Sequence, residues 1–195
     1  MPTSKTRNLL VDVARQLFAR DGVENTTMND IAVASKKGRR TVYTYFKSKE
    51  ELYLAVVESE LEMLAVAMRK VASKNLSPDE KIMEIIYTRL DSIKEVVTRN
   101  GSLKADFFRD VLRVEKVRRN FDITEVKLYR EVLQEGVDKG VFDIDSVYLT
   151  ADLLHYCLKG IEVPYIRGKL APSLTGEIRT EYVTKLVLGA FHRKK

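Results

Sequence analysis

One cysteine, two histidines, four prolines and no tryptophan are the scarcities of this 195-residue chain. With Cys157 as the only thiol, no disulfide can close within the chain and no cysteine-based zinc cluster can form; this usage fits a reducing cytoplasm. His155, His192 and that one thiol supply neither a zinc site nor a convincing triad, so no metal and no cofactor are expected. Nothing resembles a phosphate-binding glycine loop or a nucleophile elbow, and pairs such as Glu58/Glu62 and Asp79/Glu80 read as surface or capping carboxylates. An enzyme is therefore not expected. No apolar stretch approaches a membrane span, and the start MPTSKTRNLL has no apolar segment of signal-peptide length, so a cytoplasmic protein away from the membrane is expected.

What is present is ordinary in amount and uneven in placement. A 45% hydrophobic, 32% charged chain rich in Leu, Val, Ala, Lys and Glu leans toward all-α and is long enough to bury its own core. The net charge is +6, and residues 1–52 hold ten Lys/Arg against six Asp/Glu. Six bases lie between Lys36 and Lys49 (Lys36, Lys37, Arg39, Arg40, Lys47, Lys49) with no acid among them. A cationic surface of that density suits a polyanion.

Apolar spacing predicts nine helices. Leu10, Val13, Ala14, Leu17 and Phe18 mark the first, closed by Asp21-Gly22. Thr26 or Thr27 caps a second, with Ile31, Ala32 and Ala34 as its packing face. After the turn Lys36-Lys37-Gly38 comes a third at Arg39–Phe46, anchored by Val42 and Tyr45 or Phe46. Ser48 and Glu51 form a capping box for a long helix to about Ser73, buried along Leu52, Ala55, Val56, Met63, Ala67 and Val71. Ser77-Pro78-Asp79-Glu80 starts a fifth. A short helix with Phe107, Phe108, Val111 and Leu112 follows, then one at about 117–138 that ends in DKGVFD. The last two span about 145–165, with Pro164 kinking or ending the first of them, and 175–192.

Within TTMNDIAVASKKGRRTVYTYFKSKEEL, Thr26 to Leu52, the residues from Thr27 to Leu52 resemble the N-terminal helix-turn-helix of the TetR family of bacterial transcriptional regulators. The matching residues are Thr27, Ile31, Ala32, Thr41, Val42, Tyr43, Tyr45, Phe46, Ser48, Lys49, Glu50 and Leu52. The chain departs from the family at the turn, where Ala-Gly-Val-Ser is usual and Ser35-Lys36-Lys37-Gly38 stands here. It departs again at Arg40, where a small residue is common. Gly38 thus replaces the hydroxyl cap of the recognition helix.

The resemblance implies a helix-turn-helix domain at 1–48 joined by the long helix to a helical regulatory and dimerisation domain at 49–195. It implies a transcriptional regulator, a ligand-responsive repressor that binds a palindromic double-stranded DNA operator as a homodimer. Arg39, Arg40, Tyr43 and Thr44 would face the groove, where arginine donates in pairs to guanine. Thr27, Tyr45 and Lys49 match phosphate-holding positions, with Thr41, Lys36 and Lys37 beside them, and Lys5 and Arg7 are placed to follow the backbone or enter the minor groove. The last two helices would form the dimer seam. Tyr87, Phe107, Phe108, Tyr129, His155 and Tyr156 supply an aromatic and polar mixture suited to a small-molecule effector, although aromatics at helical spacing serve equally as plain core. The rival reading of the basic module is a protein-binding surface without specific DNA affinity.

Overall fold

The computed structural model describes residues 5–99, 111–170, 172–173 and 176–191. Its elements are α1 (Lys5–Asp21), α2 (Met28–Ala34), α3 (Arg39–Tyr45), α4 (Lys49–Ala72), α5 (Pro78–Arg99), α6 (Val111–Asp138), α7 (Val147–Ile166) and α8 (Gly176–Gly189). No strand occurs among the described residues, and the all-α class stands. Eight helices are described where nine are predicted. Phe107 and Phe108 lie outside the described residues, while Val111 and Leu112 open α6 rather than close a short helix of their own. Residues 111–119 (VLRVEKVRR) contain no glycine or proline, so nothing interrupts the helix before Val117.

The chain divides into two compact units, Met1–Met63 with Glu95–Arg119 and Leu64–Lys94 with Asn120–Lys195. Helix α4 belongs to both, since the boundary falls between Met63 and Leu64.

In the first unit Leu10, Val11, Ala14, Leu17 and Phe18 of α1, Ile31 and Ala32 of α2, Val42 of α3, Phe46 and Leu52 are buried. Val11 takes the place predicted for Val13, which is half-buried; Ala34 is exposed and Ser35 is buried instead. Ser35 can sit there because its hydroxyl donates to the Ala32 carbonyl at 3.1 Å. Phe18 meets Tyr53 edge-on at 6.3 Å. Arg15 fastens α1 to α4 through the Ser59 hydroxyl at 2.7 Å and the Glu60 carboxylate at 3.0 Å.

In the second unit α4 contributes Leu64, Met68 and Val71, and α5 contributes Ile82, Ile85, Ile86, Leu90 and Ile93. Met63 is 46% exposed, against expectation. The buried stripe of α4 runs Val57, Leu61, Leu64, Met68, Val71, and Met63 falls one residue out of that phase. Helix α5 begins as its sequence requires: Pro78 needs no intrahelical donor, and the Glu80 carboxylate accepts from the Ser77 backbone and hydroxyl at 3.0 and 2.7 Å. Helix α6 buries Phe121, Leu128, Tyr129, Val132 and Leu133, and α7 buries Ala151, Leu154, Leu158 and Ile166. Pro164 lies in the last turn of α7, which ends two residues later at Ile166, and Gly168 follows at φ 62°. Between α6 and α7 the chain doubles back so that Phe142 packs on Gly136 and meets Phe191 edge-on at 5.3 Å.

Candidate nucleic-acid interface

The basic module is a helix, a tight turn and a second helix, each end held by local bonds. Thr27 caps α2 by accepting from the Asp30 backbone at 3.2 Å, and Asp30 returns the bond by accepting from the Thr27 backbone at 2.8 Å. The Thr27 hydroxyl also donates to Asp30 at 2.7 Å, and these bonds hold the Asp30 carboxyl below its ordinary range. The turn passes through Lys36 at φ 53°, a left-handed conformation that an L-residue rarely adopts. Gly38 then caps α3 without a side-chain bond, as its lack of a hydroxyl dictates.

Helix α3 is seven residues long, and burial fixes which way it faces. Val42 and the following Phe46 point into the core, so Arg39, Arg40, Tyr43 and Thr44 are left exposed on the opposite side. The pairs 39/43 and 40/44 each lie one turn apart, so the four form a single patch. The Arg39 guanidinium lies 5.6 Å from the Tyr43 ring centre, and the Thr44 hydroxyl donates to the Arg40 carbonyl at 2.9 Å. Lys37, Thr41 and Tyr45 are half-buried around this patch, and Lys36 is exposed at the turn.

Two cations anticipated for DNA are engaged inside the unit. The Lys49 ammonium donates to the carbonyls of Val23 at 2.7 Å and Glu24 at 3.1 Å, tying the start of α4 to the loop between α1 and α2. The Arg7 guanidinium sits 5.3 Å from the Phe46 ring centre and 4.0 Å from Glu58. At the entry to α4 Ser48 caps the Glu51 backbone at 3.1 Å. The Glu51 carboxylate accepts from Lys47, one residue earlier than the predicted box has it, at 2.7 Å.

The residues proposed for an effector separate in the structure. Tyr87 is half-buried and donates to the Thr180 carbonyl at 3.2 Å, on the wall of a half-open 730 Å³ cleft that Leu90, Asp91, Ile161 and Tyr165 also line. Tyr129 and His155 are buried elsewhere, in an ionic network. Tyr156 faces outward, 69% exposed, and Phe107 and Phe108 lie outside the described residues.

The network itself contains residues that sequence reading passed over: Arg89, Glu125 and Glu162, all buried. Glu125 accepts from Arg89 Nε, from the Tyr129 hydroxyl at 2.9 Å and from His155 Nδ1 at 2.6 Å, and Arg89 Nη2 donates to Glu162 at 3.1 Å. Burial would raise the Glu125 carboxyl, but the His155 bond and the Arg89 charge outweigh it and hold it below its ordinary value. Burial likewise works against the Arg89 charge, and Glu125, Tyr129 and Glu162 overcome it. Burial, with Glu125 alongside, pushes the Tyr129 phenol well up. A signal for these residues existed. Each stands where the apolar stripe of its helix should continue: Ile82, Ile85, Arg89, Ile93 in α5; Phe121, Glu125, Leu128, Val132 in α6; Ala151, His155, Leu158, Glu162 in α7. Asp122, Glu125 and His155 also bring one donor each within 4.8 Å of one another. Lys159 lies 3.0 Å from Asp122 and Arg89 is bonded to Glu125, so cations of the chain already answer these carboxylates.

Residues 10–56 match the family model of bacterial regulatory proteins, tetR family. The probable acrEF/envCD operon repressor of Escherichia coli K12 is 28% identical over 162 residues, covering 76% of this chain and 71% of that protein. The transcriptional repressor KstR2 of Mycolicibacterium smegmatis is 27% identical over 157 residues, covering 75% and 74%. A crystal structure of a transcriptional regulator from Cytophaga hutchinsonii superposes with a TM-score of 0.75 at 23% identity, covering 94% of this chain and 95% of that one. The matched window holds the capped α2, the turn and the exposed cationic face of α3, and the relatives extend over three quarters of the sequence. Residues 10–56 thus match the tetR family of bacterial regulatory proteins, and the chain is a DNA-binding transcriptional regulator similar to these repressors.

Proposed function

We propose that this regulator is a ligand-responsive repressor acting in the cytoplasm, and that it grips a palindromic operator as a homodimer. The observation that carries the reading is the α3 face: four exposed residues, two of them arginines, fixed by the burial of Val42 and Phe46 opposite. In this reading Arg39 and Arg40 donate to guanine edges, Tyr43 and Thr44 touch bases or sugar, and Lys36, Lys37, Thr41 and Tyr45 steady the phosphates. Thr27 and Lys49 act through position, the first by capping α2 and the second by clamping the loop beneath the start of α4. Residues 1–48 form the DNA-binding domain and 49–195 the regulatory and dimerisation domain, with α4 as the shared lever.

One recognition helix reads too few base pairs to specify a genomic site, whereas two of them about 34–36 Å apart address a palindrome. The dimer seam is assigned to α7 and α8. Leu149, Leu153 and Tyr156 form an exposed stripe at helical spacing on α7, and Tyr182 and Leu186 do so on α8. Relatives named as repressors support the sign of regulation.

The test is selection of bound sequences from random duplexes at physiological salt, followed by affinity against salt concentration. A palindromic consensus with a steep loss of affinity at higher salt is expected. An affinity that ignores both sequence and salt would refute it and leave the protein-binding alternative.

A further inference from the structure

Two buried atoms in and beside the network of the second unit stand without a hydrogen-bond partner among the described residues, Arg89 Nη1 and Asp122 Oδ1. Glu125 has three partners and Arg89 Nη2 has Glu162, but Arg89 Nη1 is buried with no hydrogen-bond partner among the described residues. A guanidinium has five N–H donors and no acceptor, so Nη1 calls for an oxygen from outside the network. Stability does not explain keeping such a group, because buried ion pairs replaced by apolar residues of similar volume are often neutral or stabilising. A fully buried arginine with an unanswered donor therefore reads as a place where something docks.

Charge decides what docks. Among the ion pairs described, Arg89 faces two carboxylates, Glu125 and Glu162, Lys159 lies 3.0 Å from Asp122, and the Tyr129 hydroxyl is neutral. His155 at most balances the second carboxylate facing Arg89. A ligand carboxylate would add negative charge to a site with no positive excess among these groups, and a metal cation would compete with Arg89 and Lys159 for the same oxygens. An uncharged acceptor meets the donor without either penalty. Leu90 and Ile161, which wall the 730 Å³ cleft, are the chain neighbours of Arg89 and Glu162, so the network lies behind that wall rather than on it.

We propose that Arg89 is the polar anchor of the effector site, and that the effector is an otherwise apolar molecule whose uncharged carbonyl oxygen accepts from Arg89 Nη1. This rests on the ligand-responsive reading above. The probes are 2-decanone and decanamide as neutral acceptors, with decanoate and decylamine as their charged counterparts, each added to the full-length protein. The readouts are melting temperature and release of the selected operator by fluorescence anisotropy.

The neutral probes should raise the melting temperature and release DNA at concentrations at least roughly tenfold below decanoate or decylamine, the scale of one hydrogen bond to a charged group. Arg89→Met should bind operator normally and lose about 10- to 100-fold in affinity for 2-decanone. Glu162→Gln removes one negative charge and should narrow the gap between 2-decanone and decanoate by about tenfold, a change that a purely structural role would not produce. Should Arg89→Met fail to fold, the Glu162→Gln ratio decides alone. Preference for decanoate or decylamine by the wild type, unchanged 2-decanone binding in Arg89→Met, or an unmoved ratio in Glu162→Gln would each overturn the proposal, as would binding of no probe. A wider library of amphiphiles separates the two levels. Release by other compounds would leave the ligand-responsive reading standing without this anchor, and release by none would remove both.

Discussion

Lys36 occupies a left-handed conformation, φ 53°, of the kind that glycine adopts without strain. Holding an L-residue there costs roughly 1–2 kcal/mol, and glycine would relieve that strain while adding about 0.4–1 kcal/mol of unfolded-state entropy. Lys36→Gly should therefore stabilise the protein by up to about 1 kcal/mol in urea unfolding. If the ammonium neutralises a phosphate, the same change lowers the slope of log affinity against log salt by about 0.9. Higher stability with an unchanged slope would mean that Lys36 faces solvent in the complex. Arg40 is separable by a different signature. Arg40→Ala should weaken binding to the selected operator by about 1–3 kcal/mol while leaving random DNA nearly unaffected. Equal loss on both would make Arg40 a phosphate contact instead.

At the scale of single helices, much was legible because the periodic signals were strong. Helices α1 to α4 follow from caps, the glycine break and apolar spacing, and the orientation of α3 follows from Val42 and Phe46 alone. Two failures have physical causes. The phase of α4 is ambiguous at Met63 because nearly every position from Leu61 to Met68 is apolar, so composition does not say which stripe is buried. Arg89, Glu125 and Glu162 are hard to read because charged residues are mostly exposed, and a charge on an apolar stripe marks a buried group only when it is paired inside. The end of α6 and the turn after it show what their glycines are for. Gly140 supplies φ 69°, and a Cβ on Gly136 would stand 2.0 Å from the Phe142 ring. Since Phe142 is itself buried against Phe191, the ring has little room to yield. Gly136→Ala should cost about 1–3 kcal/mol in chemical denaturation, the range of core overpacking. Adding Phe142→Leu should recover part of the loss, and a neutral single variant would show that the turn shifts freely.

For the molecule as a whole, the outward faces of α7 and α8 bear on how one short recognition helix comes to specify an operator. Leu186 is 77% exposed and Tyr156 69%, with Leu153, Leu149 and Tyr182 also above half, an apolar area that water tolerates poorly on a monomer. A two-fold seam uses each such residue twice, so one substitution is felt in both protomers. Covering a leucine stabilises by about 1.5–3 kcal/mol, so Leu186→Glu should weaken dimerisation by at least roughly 3–6 kcal/mol. That is about two to four powers of ten in the dimer dissociation constant, enough to give monomers at micromolar concentration by analytical ultracentrifugation. The variant should keep its helical content and its affinity for a single half-site, because Leu186 lies far along the chain from the α3 face and in the other compact unit. Affinity for the full palindrome should then collapse toward the half-site value, since a monomer gains nothing from a second site about one helical turn away. A Leu186→Glu protein that still sediments as a dimer and still distinguishes the palindrome would place the seam on another face.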